Sequence, residues 1–160
     1  MRARVFMTFT CIIACCCVGA QTGVVGNEQY DSYDVVYIID NLARELIPES
    51  FICTYYDTLK PSDYTVSQHI DKTQKRRDII VRTNKAKDGY LYVNQCVMDH
   101  IKMQNRRMSK IKVSYFYNNA EIRTEREVLQ FLQLRKKRIR VSQIINDDSQ
   151  GLFYIYIVDN

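Results

Sequence analysis

Residues 1–20 constrain this chain most, because they fix the compartment in which the rest must fold and the cysteines it keeps. Arg2 and Arg4 open the chain, Val5 to Val18 carries no charge, and Val18-Gly19-Ala20 places small or modest side chains at a cleavage site. A basic start, a short apolar core and a small-residue exit are the three parts of a secretory signal peptide. The core is shorter than the ~20 apolar residues of a membrane span. Cleavage after Ala20 removes Cys11, Cys15, Cys16 and Cys17 and leaves Cys53 and Cys96. In an oxidising compartment these two predict a single Cys53–Cys96 disulfide, the alternative being two buried free thiols. Closing that loop contributes on the order of 4 kcal/mol in the chain-entropy treatment. A competing reading takes Ile12-Ile13-Ala14-Cys15 as a bacterial lipoprotein site, with Cys15 lipidated.

The chain after residue 20 is one domain's length. With 46% hydrophobic and 26% charged residues, the composition is that of a globular protein rather than a disordered one. Removing Arg2 and Arg4 leaves 21 basic against 18 acidic residues, a net charge of +3. That bias is too small to imply a nucleic-acid partner. No later apolar run is long enough for a transmembrane span. The expected organisation is a signal peptide over 1–20, a Gly-rich arm over 21–31 and one globular domain over 32–160.

Local patterns predict the elements. Val35, Val36, Ile38, Ile39, Leu42 and Leu46 fit a helical face ending at Pro48. Phe51 to Tyr56 reads as a strand and 58–77 as loop. Asp78 to Arg82 reads as a strand and Tyr90 to Met103 as a helix. Lys110 to Tyr117 alternates as a strand does, and Asn118-Asn119 is a turn. Ala120 to Lys137 has the strongest helical signal. Ile139 to Ile145 and Leu152 to Val158 read as strands joined by a turn over 146–151. Strand, helix, strand, helix, strand over 78–145 is the order of parallel βαβ units. The expected fold is therefore α/β: a single three-layer domain with a mixed, largely parallel sheet. An α+β domain with an antiparallel sheet is the alternative. No internal repeat is expected.

Catalytic motifs are few. Cys96 and His100 lie four residues apart on one helical face and are the one candidate nucleophile–base pair, for a thiol hydrolase. Secretion favours oxidation of that thiol instead. The sequence carries no phosphate loop, nucleophile elbow or calcium loop, so no catalytic residue, metal site or cofactor is assigned and an enzyme is not expected. Arg135-Lys136-Lys137-Arg138 is the densest charge cluster. It reads as the basic last turn of a helix, as a convertase site cut after Arg138, or as a heparin-like polyanion or partner contact joined by Arg106, Arg107, Lys110 and Lys112. The tyrosines of Tyr55-Tyr56, Tyr115, Tyr117, Tyr154 and Tyr156 should line a sheet face with their polar tips towards water or a partner.

The run Lys110-Ile111-Lys112-Val113, Val128-Leu129-Gln130-Phe131-Leu132, Lys137-Arg138-Ile139-Arg140-Val141, Ile144-Ile145 and Gly151-Leu152-Phe153-Tyr154-Ile155-Tyr156 resembles the amino-terminal extracellular segment of insect ionotropic-type chemoreceptors. The resemblance covers the last third of the chain. It implies a chemoreceptor-ectodomain-like module, without the ligand-binding lobes or channel helices and without any transferable functional residue. Together these readings predict a secreted, extracellular, non-catalytic binding protein. Its partner would be an extracellular protein or small ligand, or a polyanion. The alternatives are a signalling precursor processed after Arg138 and a Cys96/His100 hydrolase.

Overall fold

In the computed structural model, residues 32–104 and 111–160 are described. The expected signal peptide over 1–20, the expected arm over 21–31, and Arg106, Arg107 and Lys110 lie outside them. The strands are β1 (Asp34–Ile39), β2 (Leu42–Ala43), β3 (Tyr64–Asp71), β4 (Arg76–Thr83), β5 (Lys112–Tyr117), β6 (Ala120–Glu121), β7 (Ile139–Asp147) and β8 (Leu152–Asp159). The helices are α1 (Glu49–Thr54), α2 (Asp88–Met103) and α3 (Glu125–Leu132). The expected single, largely parallel sheet is not what forms. Among the described residues there are two four-stranded sheets, ordered β2-β1-β4-β3 and β6-β5-β8-β7. Each contains one parallel pair, β1–β4 or β5–β8, between antiparallel ones. The βαβ reading of 78–145 fails because β4 and β5 belong to different sheets.

The two sheets are repeats of one design, contrary to the expectation of no internal repeat. In each unit a strand ends in two residues of positive φ, Asp40-Asn41 or Asn118-Asn119. A two-residue strand folds back, a helix follows, and a hairpin returns to pair in parallel with the first strand. The registers coincide. Asp34 faces Arg76 and Ile39 faces Val81, as Lys112 faces Leu152 and Tyr117 faces Ile157. The bonds that close each unit also coincide. Asp40 N–H donates to Val81 O as Asn118 N–H donates to Ile157 O. Asn84 N–H donates to Asp63 O as Asn160 N–H donates to Arg138 O. At the hairpins Asp71 Oδ1 accepts the N–H groups of Thr73 and Gln74, and Asp147 Oδ1 those of Ser149 and Gln150. Each hairpin then leaves through a left-handed residue, Lys75 or Gly151.

Three local predictions invert for physical reasons. Residues 34–39 form a strand, not a helix, because β1 lies between β2 and β4 and carries apolar side chains on both faces. Paired apolar residues fit either period. The aromatic stretch from Phe51 is helical because Pro48 O accepts from Phe51 and Ile52 N–H and so starts a turn. Residues 64–71 form an edge strand whose exposed Thr65, Ser67 and His69 hide its alternation among polar residues. The helix expected over Ala120 to Lys137 is only Glu125–Leu132, since Ala120 and Glu121 pair with β5 and Thr124 caps it. Thr124 and Glu127 form a reciprocal capping box there. The predicted strands over 78–82, 139–145 and 152–158 and the helix over 90–103 all lie within observed elements.

The units share one core. Phe51 of α1, Tyr90 of α2, Tyr115 of β5 and Phe131 of α3 are all at most 2% exposed. Their ring centroids lie 5.3–6.4 Å apart. Such aromatic pairs contribute about 0.5–1.5 kcal/mol each beyond the area they bury. The link helix α2 meets the second unit at Gly89, whose N–H donates to Leu134 O at 3.0 Å. A Cβ on Gly89 would lie 2.4 Å from that same carbonyl oxygen. Gly89→Ala is therefore expected to push α2 away from the second unit and cost about 1–3 kcal/mol, read as a lowered urea midpoint. An unchanged midpoint would show that this approach is not a constraint.

Candidate binding surface

Strand alternation assigns each side chain of the second sheet to a face. Val113, Tyr115, Phe153, Ile155 and Ile157 are buried on the core side. The opposite side carries Lys112, Ser114 and Phe116 on β5, Leu152, Tyr154, Tyr156 and Val158 on β8, and Arg140, Gln143, Ile145 and Asp147 on β7. The pairing stacks them in rows: Lys112–Leu152–Asp147, Ser114–Tyr154–Ile145 and Phe116–Tyr156–Gln143. The Phe116 and Tyr156 rings stack with centroids 4.9 Å apart and 22° between planes, and Tyr154 meets Phe116 edge-on at 5.9 Å. The three rings are half-buried and Ile145 is 38% exposed. Lys112 and Arg140, both exposed, flank this aromatic stripe.

The first sheet treats the same positions differently. Its corresponding rows read Asp34–Arg76–Asp71, Val36–Asp78–His69 and Ile38–Ile80–Ser67. Arg76 grips Asp78 in a two-pronged bond at 2.7 and 2.8 Å, and the neighbouring carboxylate raises the Arg76 pKa. Where one face holds an ion pair, the other holds aromatic rings.

The other sequence candidates are dispersed. Arg135, Lys136, Lys137 and Arg138 are all exposed, but they do not form the last turn of a helix. Helix α3 stops at Leu132, and Lys136–Arg138 is a separate 3-10 turn entering β7. Lys136 Nζ lies 5.1 Å from the centre of the Tyr92 ring. The backbone at Arg138 is held by Arg135 O and by Asn160 N–H, and Ile139 beyond it is 2% exposed.

The expected Cys53–Cys96 disulfide is not formed. Both are free thiols: Cys53 is exposed on α1, and Cys96 is half-buried on α2 against the Tyr92 hydroxyl. The candidate Cys96–His100 pair is not assembled either. His100 Nε2 lies 2.8 Å from Gln104 Nε2, and its ring meets Phe153 edge-on. Partial burial, then Asp57 and Glu49, push the Cys53 thiol up. Asp57→Asn is expected to increase the rate at which Cys53 is modified by a neutral thiol reagent near neutral pH, because less negative charge opposes the thiolate. A rate equal to that of the parent chain would remove this electrostatic account.

Sequence reasoning missed the most elaborate polar cluster. Asp40 is fully buried. Its carboxylate accepts from Thr83 N–H at 2.8 Å, Thr83 Oγ1 at 2.6 Å and Tyr56 OH at 3.2 Å. Tyr55 OH donates to Thr83 Oγ1, Asn94 Nδ2 to Asp40 O, and Tyr115 OH to Asn94 Oδ1. Burial pushes the Tyr55 hydroxyl up to about 12 and raises Tyr56, Tyr90 and Tyr115 as well. Burial also raises the Asp40 carboxyl, against the hydrogen bonds from Thr83 and Tyr56 and the charge of Arg82. This satisfied interior knot has no open face and suits support rather than chemistry. The signal for it was the pair Asp40-Asn41, a left-handed turn at the end of an apolar run.

Because the folded state holds the Asp40 proton more tightly than the unfolded one, ionised Asp40 opposes folding above its folded pKa. That cost falls as pH drops towards the ordinary value of 3.8. The stability of the parent chain relative to Asp40→Asn should therefore rise on acidification from about pH 7 to about pH 4. Urea unfolding of both proteins across that range reads the difference, and a fall would contradict the sign.

Among the described residues no three His, Cys, Asp or Glu side chains are placed to hold a metal ion. No described helix is long and apolar enough to cross a membrane. A cavity of about 90 Å³ between β6 and α3, lined by Tyr117, Ile122, Phe131 and Leu134 among others, is below the volume of a small-molecule site. A larger depression of about 750 Å³ along α3, past the exposed Leu129, is open to solvent. The chain matches no protein-family model, no curated protein and no solved structure.

Proposed function

We propose that this is a secreted, non-catalytic binding protein that engages an extracellular protein through the outer face of the second sheet. The observation that carries the reading is the aromatic stripe of Phe116, Tyr154 and Tyr156, present on one repeat and replaced on the other by Ile38, Asp78 and Ile80. Stacked Tyr and Phe rings supply large contact area with few rotamers to freeze, which is why aromatics concentrate in interfaces. Lys112 and Arg140 at the ends of the stripe would favour an acidic rim on the partner. The stretch that resembles the chemoreceptor segment, from Lys110 to Tyr156, falls in this unit over its described residues and supports a module of ectodomain type. The helices are taken as the middle of three layers, because both sheets and α1, α2 and α3 contribute to one core.

The test uses the chain from Gln21, recovered from medium and checked for that start by intact mass. It is screened against a panel of secreted and cell-surface ectodomains from the same source. Tyr154→Ser with Tyr156→Ser should weaken the captured partner by roughly tenfold or more, about 1.4 kcal/mol. Ile80→Thr, at the position of Tyr156 in the first sheet, should leave capture intact. Equal capture by the tyrosine variant, or loss only with Ile80→Thr, would overturn the assignment.

A second reading rests on the exposure of Arg135, Lys136, Lys137 and Arg138 along one strap. It takes heparin-like polyanions as ligands. Its mark would be retention on heparin that falls steeply with salt and weakens when Lys136 and Lys137 become Ala.

A further inference from the structure

Each sheet ends in a hairpin strand at one edge, and the two repeats finish that edge differently. In the second sheet β7 carries a bulge between Val141 and Gln143 and the exposed Arg140 beside it. Bulges and charges are how sheets blunt an edge against pairing with another chain. In the first sheet β3 occupies the same position without a bulge, and its one carboxylate, Asp71, is half-buried at the end of the strand. It pairs with β4 in unbroken register from Tyr64–Thr83 to Asp71–Arg76, and 64–70 contains no Lys, Arg, Pro or Gly. On this strand Gln68 has its side-chain Oε1 buried with no hydrogen-bond partner.

We propose that β3 is an association edge for a second copy of this chain, pairing antiparallel with the β3 of that copy about a twofold axis at Gln68. The sheet period restricts the register. Opposite residues must lie on the same face, so the axis must pass through a residue rather than between two. Centred on Ser67, the pairing would oppose Asp63 to Asp71 of the second copy, which repel, and Val66 to an amide. Centred on His69, it would oppose Val66 to Lys72. Centred on Gln68, it places Val66 against Ile70, Ser67 against His69, Thr65 against Asp71 and Tyr64 against Lys72, each pair occurring twice. No like charges meet. At the axis the two Gln68 side chains lie side by side, and turning each carboxamide towards the other lets its N–H meet the Oε1 that is buried without a partner in the single chain. The association rests on β3 and not on the aromatic face, so it stands independently of the proposed partner surface.

Sedimentation velocity of the chain from Gln21 at tens of micromolar should give a dimer. Gln68→Lys should be monomeric, because two ammonium groups would meet on the axis. Gln68→Glu should be monomeric near neutral pH because two carboxylates would meet there, and an equimolar mixture of the two should restore the dimer. Thr65→Asp, at an exposed position opposite Asp71 of the second copy, should also give monomer and serves if a Gln68 variant does not fold by far-UV circular dichroism. Gln143→Lys on β7 should remain dimeric. A monomeric parent chain, a dimeric Gln68→Lys or Thr65→Asp protein, or a folded Lys/Glu mixture that stays monomeric would overturn the proposal.

Discussion

Each unit depends on a clamp at the end of its parallel strand pair. Parallel strands cannot be joined by a tight turn, so β1 finds β4 only after a short strand, a helix and a hairpin. That long closure costs entropy before any pairing returns it. The structure meets the cost where the first strand ends. Asp40 Oδ1 accepts from Thr83 N–H, and Asn118 Oδ1 accepts from Asp159 N–H. The left-handed turn that follows reverses the chain at once and supplies the short edge strand. Asp and Asn suit this position because they tolerate positive φ and carry an oxygen at the right reach.

The two clamps use the same geometry with the acid on opposite sides. In the first unit the carboxylate is on the turn and a hydroxyl is on the returning strand, as Asp40 and Thr83. In the second unit the amide is on the turn and the carboxylate is on the strand, as Asn118 and Asp159. Environment explains the divergence. Asn94 of α2 donates to Asp40 O, and Asn41 donates to Leu91 O, so the link helix seals the first clamp. The second clamp is solvent-exposed, where Asp159 is held below the usual carboxylate range by the Tyr117 hydroxyl and Asn118. A buried carboxylate needs hydrogen bonds to replace water, and the Thr83 N–H, the Thr83 hydroxyl and the Tyr56 hydroxyl supply them. The seal thus fastens α2 to the first unit while Gly89 fastens it to the second.

How much of this was legible follows from the same asymmetry. The long strands of the second unit could be read one by one, since the inner positions of β5 and β8 alternate against polar or aromatic outer ones, while β6 was hidden in the predicted helix. The first unit could not, because β1 is apolar on both faces and β3 is polar along its exposed one. The repeat stayed hidden for a related reason. What the units share is concentrated at turns: Asp40-Asn41 with Asn118-Asn119, Asp71-x-Thr73-Gln74 with Asp147-x-Ser149-Gln150, and Asn84 with Asn160. Val66-Ser67-Gln68 and Val141-Ser142-Gln143 begin alike, but the bulge then shifts one against the other. Core positions need only volume and polarity, so their identities differ between the units while the backbone geometry does not. The aromatic stripe was partly foreseeable, since Tyr154 and Tyr156 alternate with buried Ile155 and Ile157. Its partner ring Phe116 comes from a strand whose parallel neighbour no local pattern could name.

Two units of one design offer two comparable faces and two comparable edges, and each unit closes one option. Arg76 and Asp78 neutralise each other across the outer face of the first sheet. That ion pair is satisfied within the sheet, and covering it would cost desolvation without a new bond to offset it. The first unit therefore has its unsatisfied hydrogen-bonding capacity along β3. In the second unit the bulge and Arg140 spoil the edge, while the outer face carries rings that lose little by leaving water. Face and edge would compete if both lay on one sheet, because a strand added beside an aromatic face changes what can reach it. Placing them on different sheets, joined through the core of Phe51, Tyr90, Tyr115 and Phe131, lets one be occupied without altering the other.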